Sequence, residues 1–456
     1  MKTVIGLEVH VQLRTESKLF CGCATKGYRE AAPNSLVCPS CLAQPGGKPW
    51  GVNGRAVEQA IKVALALGCE IVVEKPVFMQ RKNYIYADLA SGYQRTSKPI
   101  GVNGTLSGIR VHHVHLEEDP GRYDLRSGEV DFNRSGIPLV EIVTEPDFET
   151  AEHARSFLEE LSAILEYLSA GREEAGSMRV DANLSIQGHP RSETKNINSF
   201  KGVFTALTFE QARQRNLIKH GVEYGQETRH FEEGTGTTTG LRKKETAEDY
   251  RYFPDPDVPP LVISKEQVEK VRKSLPELPS QKRERFSKEY EIGVQEAFAI
   301  CLEKELADSF EQVSKKVDSV QAARFFRGVL KKQLNYRTLS FRQSKLSAPL
   351  LLDLLQMLEK KEVTEKVAEQ LLINFLDKGV SPREHAQKEG LAGVQGEKEL
   401  AEIVEKVLKE NQAAVADFER GKAEALNFLA GKVMRETRGK ASPDAVQAVL
   451  KKRLSG

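Results

Sequence analysis

The chain has 456 residues, 39% hydrophobic and 29% charged, with a formal net charge of +2. One core rarely organises such a length, so two to four domains of soluble globular type are expected, and no apolar run approaches the roughly 18 residues of a membrane helix. Near-neutral charge excludes arguing nucleic-acid binding from the total; only local patches can carry it.

From the N-terminus, Met1-Lys2-Thr3 runs straight into a strand without a signal-peptide pattern, so a reducing, cytoplasmic setting is expected. Alternation over Val4–Leu13 puts Glu8 and His10 on one face, opposite Leu7, Val9 and Val11. Next come Cys21-Gly22-Cys23 and Cys38-Pro39-Ser40-Cys41, a CxC and a CxxC separated by the 14 residues Ala24–Val37. Four thiolates at this spacing can close a structural zinc site at 21–41; two disulfides or four unrelated thiols are the alternatives. Cys69 and Cys301 are isolated and read as small buried hydrophobes.

Further ionisable groups follow: His115-Leu116-Glu117-Glu118-Asp119, Glu141 inside the apolar strand Pro138–Val143, Asp181-Ala182-Asn183, and Glu193 before Lys195-Asn196. Each alone reads most simply as a solvated edge group. Together, carboxylates and an imidazole within apolar strands are costly unless a cation neutralises them, and such a set suits magnesium. Between them, Thr150 is placed to cap a helix whose apolar stripe is Ala154, Phe157, Leu158, Leu161, Leu165 and Leu168. Gly234–Gly240 reads as a flexible loop beside Arg242, Lys243 and Lys244, either a hairpin tip or a cover for phosphate. Prolines 254, 256, 259 and 260 impose an extended path, and Pro276 and Pro279 mark a linker.

Beyond about residue 291 the pattern is helical. Phe325, Phe326, Val329, Leu330 and Leu334 form one stripe; Leu351, Leu352, Leu355 and Leu358 form another. Ser381-Pro382-Arg383-Glu384 has a capping-box form, Gly390–Gly396 reads as a hinge, and Ser442-Pro443 starts the last helix. In 432–456, Lys432, Arg435, Arg438, Lys440, Lys451, Lys452 and Arg453 oppose Glu436 and Asp444, a local balance of +5. Such a unit either contacts RNA phosphates or is simply solvated. The expected divisions are 1–290, 291–392 and 397–456.

Taken in order, VIGLEVHVQL, KLFCGC with VCPSCL, RKNYIYADLASGYQ, HLEEDPG, DFNRSGIPLVEIVTEPDF, GSMRVDANLSI, ETKNINSF, QETRHF and AEDYRYFPDPDVPPL resemble the GatB/GatE family of tRNA-dependent amidotransferase subunits, most specifically through residue 262. Departures from its pattern are Ala87, Arg95-Thr96 and Pro120. The direct run from Pro254–Pro279 into helices favours the B branch.

The resemblance implies an α+β fold: a glutamine synthetase-like cradle with antiparallel strands, then an all-α domain and a small helical tail that meets tRNA. It implies ATP-dependent phosphorylation of the side-chain carboxylate of Asp or Glu esterified to the wrong tRNA, then displacement of phosphate by ammonia. By the same resemblance, magnesium falls to Glu8, His10, Glu118, Glu141, Asp181 and Glu193. Arg81, Lys82, Lys195, Arg242 and Lys244 are cations suited either to ATP or phosphate or to ion pairs with the same carboxylates; zinc falls to the four cysteines, and tRNA to the basic tail. The chain carries no Ser-Lys hydrolytic pattern, so an amidase A subunit and a small C subunit are the implied partners. A non-catalytic zinc-containing RNA-binding scaffold is the competing reading.

Overall fold

The computed structural model describes all residues except 125, 173, 175, 243–249, 390–396, 421, 438–440, 442 and 455–456, and excepting also the side chains of 242, 397–399, 419 and 423. Two compact units emerge, Met1–Pro279 and Ser280–Gly456, giving an α+β chain in which, among the described residues, all strands lie in the first.

In the first unit the strands are β1 Thr3–Gln12, β2 Glu70–Ile71, β3 Pro76–Val77, β4 Met79–Asn83, β5 Tyr93–Ser97, β6 Gly101–Leu106, β7 Ile109–Glu118 and β8 Arg122–Tyr123. They continue with β9 Val130–Asp131, β10 Pro138–Thr144, β11 Met178–Ile186, β12 Ser192–Ile197, β13 Glu227–Glu232, β14 Thr237–Arg242, β15 Phe253–Pro254 and β16 Leu261–Val262. Twelve of these make one sheet in the order β14-β13-β12-β11-β1-β10-β7-β5-β4-β15, with β6 and β2 branching from β7. Its pairs are antiparallel except β12 with β13, which run parallel. A parallel pair needs a long crossover, and helix α3, Phe200–Lys219, supplies it.

Helices α1, Gly54–Ala66, and α2, Ala151–Tyr167, contribute to the hydrophobic core of this unit. Thr150 caps α2 as expected, accepting from the His153 amide at 3.1 Å. Leu7, Val9, Val114, Leu116, Val140, Ile142, Val180 and Ala182 fill the core side of the sheet. Alternation therefore turns Glu8, His10, His115, Glu117, Glu141 and Asp181 to the other side. Half of the expected Gly234–Gly240 loop is strand: β14 pairs with β13 from Thr237, and only Glu233–Gly236 turns. Consecutive threonines on β14, Thr237 to Thr239, suit a ladder better than the glycine count suggests.

The second unit is helical. Phe310 packs between Phe286 and Phe326 at centroid distances of 5.2 and 5.4 Å, and the first expected stripe is wound as a π-helical turn over Phe325–Leu330. Ser381 departs from the capping box: its side chain makes no cap hydrogen bond, while Pro382 takes the first helical position. Helices Glu397–Glu410, Ala423–Glu436 and Pro443–Leu454 share a cluster of Leu400, Val404, Val407, Leu429, Val433, Val446 and Leu450. Gly390–Gly396 and Ser442 lie outside the described residues.

Candidate active site

Strand β1 lies between β10 and β11, and register decides which side chains meet. Glu8 opposes Asp181, His10 opposes Glu141, and Glu141 opposes His115 on β7. The result is an imidazole ringed by carboxylates. His10 Nε2 lies 3.6 Å from Glu8, 3.6 Å from Glu117 and 3.5 Å from Glu141. Burial works against protonating His10, but Glu141, Glu8 and Glu117 outweigh it and raise it to about 9. Burial and the charge of Glu141 push Glu8 up to about 8. So much buried negative charge calls for shared protons or a cation beside it.

Beside this cluster, Asp181 accepts from Lys195 at 3.0 Å and from the Asn196 amide at 2.8 Å. Lys195 also reaches Glu193 at 3.5 Å. Asn183, paired in register with Gly6 and Glu193, keeps a buried Oδ1 without a hydrogen-bond partner among the described residues. A cleft of about 1170 Å³ opens over Asp181, Glu193 and Lys195, lined also by Lys82, Arg179 and Tyr84 among others.

The fit to magnesium is good for part of the expected set. Ligand atoms of Glu8, His10 and Glu141 lie within 4.8 Å of one another, and hard carboxylate oxygens suit the ion. Glu118 is placed apart from the rest of the set. Two residues on from core-facing Leu116, it lies on the side of the sheet away from His10, where Oε1 accepts from the Arg95 amide at 3.1 Å. Glu117 takes the place beside His10. Its signal is in the sequence: two residues on from His115, it shares that residue's face, and Glu118 does not.

Arg81 is likewise turned away. Its guanidinium donates to Asp255 and Asp257, each at 3.0 Å, and stacks over Tyr93. Lys82, its neighbour, lines the cleft with its ammonium 4.9 Å from the Tyr250 ring centroid. Burial opposes its charge, but Glu117, Glu141 and Glu8 hold its pKa well above the usual lysine value. Arg242 ends β14, its side chain outside the described residues together with Lys244. Sequence reasoning misses the role of Asp119, fully buried, which anchors Gln12 and the cleft residue Arg179, both at 2.6 Å.

The four cysteines converge: the Sγ atoms of Cys21, Cys23, Cys38 and Cys41 lie within 4.8 Å of one another. Cys41 Sγ accepts from the Cys38 amide at 3.1 Å and lies 3.8 Å from the Lys18 ammonium, a setting that favours thiolate. At Gly47 a Cβ would meet Pro39 O at 2.5 Å, so the loop closes over the second pair only with glycine there. This donor set fits a closed zinc site.

Residues 3–269 match the GatB/GatE catalytic domain. The chain belongs to the GatB/GatE family. Residues 308–454 match the GatB domain, so the family covers both units. The chain is 50% identical over 449 residues to the B subunit of the aspartyl/glutamyl-tRNA(Asn/Gln) amidotransferase of Methanothermobacter thermautotrophicus, spanning 98% of this chain and 99% of that one. The proteins of the same name from Methanopyrus kandleri and Methanocaldococcus jannaschii are each 46% identical, with 99% and 100% of this chain covered and 98% of each relative. Every carboxylate of the GatB/GatE site described above lies inside the catalytic-domain match.

Proposed function

We propose that this chain is the activating B subunit of a glutamine-dependent amidotransferase, a ligase acting on Asp-tRNA(Asn), Glu-tRNA(Gln) or both. ATP phosphorylates the misacylated side-chain carboxylate, and ammonia displaces phosphate to give Asn or Gln on the tRNA. A free carboxylate resists ammonia because oxide is a poor leaving group; the acyl phosphate removes that obstacle. The observation that carries the reading is the carboxylate ring around His10 beside an open cleft of about 1170 Å³.

Magnesium, when bound, neutralises the charge that develops on the transferred phosphoryl group. Glu8, His10, Glu117 and Glu141 would hold it, with Asp181 and Glu193 beside them. Lys195 orients those two carboxylates through its ion pairs. Lys82 presents a cation to the cleft without a salt-bridged carboxylate among the described residues, which suits a phosphate oxygen. Zinc at the cysteines would fix the knuckle, whose Cys21 and Cys41 line a small pocket with Tyr93 and Arg95 of β5 and Glu118 of β7.

An amidase A subunit and a small C subunit complete the proposed cytoplasmic heterotrimer, and the tail from residue 397 is its tRNA-binding part. No described helix is long and apolar enough to cross a membrane. The test is ADP formation by the chain with its amidase partner, given Asp-tRNA(Asn) and Glu-tRNA(Gln) separately. Stimulation by at least one charged tRNA over uncharged tRNA is expected; stimulation by neither rejects the reading.

A further inference from the structure

At the β4 end of the sheet, opposite the Asp181 and Glu193 end, the cleft wall changes character. Tyr84, Tyr86 and Tyr250 line it together with Lys82. The rings are held edge to face: Tyr84 lies 5.5 Å from Tyr86 and 5.7 Å from Tyr250, centroid to centroid. Tyr86 keeps 41% of its surface exposed at the cleft, and the Lys82 ammonium sits over Tyr250.

We propose that Tyr84, Tyr86 and Tyr250, grouped around Lys82 at the cleft wall, form a stacking platform for an adenine ring. The proposal rests on the activation reading above and names the part of the substrate that this wall receives. A base offers a flat π-face to aromatic rings, and sequence-tolerant stacking of that kind needs no hydrogen-bond code. Adenine is the base because both substrates of the reaction bring one: the nucleotide that donates phosphate, and the 3′-terminal adenosine that carries the amino acid.

Two further observations tie the platform to the chemistry. Glu117 lies on β7, two strands from β4 in the sheet, so roughly 10 Å separates them at ordinary strand spacing. That is about the span from base to terminal phosphates in a nucleoside triphosphate. A hydrogen-bond path also runs across it. The Tyr84 hydroxyl donates to Gln94 Oε1 at 3.2 Å, and Gln94 Nε2 donates to Glu117 Oε2 at 3.3 Å. The inner ring of the platform is thereby fixed against a carboxylate of the His10 cluster.

The experiment uses the full chain assembled with its amidase partner and the exposed position Tyr86. For Tyr86→Ala, the KM for ATP or for charged tRNA should rise about 5- to 100-fold while kcat changes far less. Tyr86→Phe keeps the ring and should restore the wild-type value. A rise for ATP assigns the platform to the nucleotide; a rise for charged tRNA assigns it to the terminal adenosine. Binding of magnesium tripolyphosphate, which has no base, should be unchanged in Tyr86→Ala. Both KM values unchanged in Tyr86→Ala, or an equal loss of tripolyphosphate binding, overturns the platform alone, provided the wild type turns over ATP. A wild-type assembly without tRNA-stimulated ATP turnover rejects the activation reading, and the platform with it.

Discussion

His10 and Glu117 meet at 3.6 Å across strand β10, although Glu118, the next residue, points through the sheet to Arg95. One step along a strand thus separates two carboxylates with different work. Glu117 adds to the buried charge around His10; Glu118 neutralises a buried guanidinium.

Substitutions at these two positions should therefore separate activity from stability. Glu117→Gln removes a charge from the cluster and should lower tRNA-dependent ATP turnover by about 100-fold or more, with the melting temperature nearly kept. Glu118→Gln weakens the Arg95 contact and should lower the melting temperature, with turnover falling less than the Glu117 variant's. Parallel thermal melts and ADP assays decide it; loss of chemistry confined to Glu118→Gln would return Glu118 to the ligand set.

Much of this site was legible in the sequence because period-two alternation is a local property. Leu7, Val9 and Val11 fixed the face of Glu8 and His10, and Pro138–Val143 advertised Glu141 as a carboxylate in an apolar strand. Partner choice was not legible. That Arg81 turns to Asp255 while Lys82 enters the cleft depends on the pairing of β15 with β4, formed by residues far apart in the chain. The parallel β12 and β13 pair was hidden for the same reason: its crossover is α3, and nothing in the strands themselves encodes direction. The four cysteines were the easiest to place, since metal-ligand spacing is itself local.

Zinc should be measurable directly. Protein purified without chelators should contain about one zinc per chain, and Cys38→Ser should lose the metal and melt at lower temperature. Elemental analysis showing no zinc in the wild type would leave four reduced thiols in its place.

The Asp255 carboxylate gives a stability prediction with a definite pH dependence. It accepts from Arg81 at 3.0 Å and from Arg95 at 2.7 Å, with its side chain wholly buried. Burial alone would raise its pKa, but hydrogen bonds from Arg81 and Arg95 hold it below the ordinary value. Asp255→Asn leaves both guanidinium groups short of a partner and should cost about 3 kcal/mol at pH 7. A depressed carboxyl contributes fully above its unfolded pKa of about 3.9 and loses that contribution as pH falls through its lower folded value. The gap between wild type and variant in urea melts should accordingly hold from about pH 7 to about pH 5 and narrow below about pH 4. A gap that stays constant to about pH 3 would mean the charge plays no part.

The basic tail can be tested residue by residue, because the structure divides its cations into two kinds. Arg453 is paired with Glu405 at 3.1 Å, so part of its charge is already neutralised within the tail. Lys451 and Lys452 are exposed on the same helix with no ion-pair partner among the described residues, as is Arg435 on the preceding one. Arg438 and Lys440 lie outside the described residues. If the tail binds tRNA phosphates, replacing both Lys451 and Lys452 by Ala should reduce the salt slope of tRNA binding by about one for each phosphate no longer neutralised, without altering ATP turnover at saturating tRNA. Arg453→Ala should act mainly on tail stability, through Glu405. Removing 397–456 should take away the whole effect, because that segment packs around its own cluster of Leu400, Val404, Leu429 and Val446. Affinity and salt slope that survive the double substitution and the truncation alike would make this helix a solvated face and move tRNA recognition elsewhere on the chain.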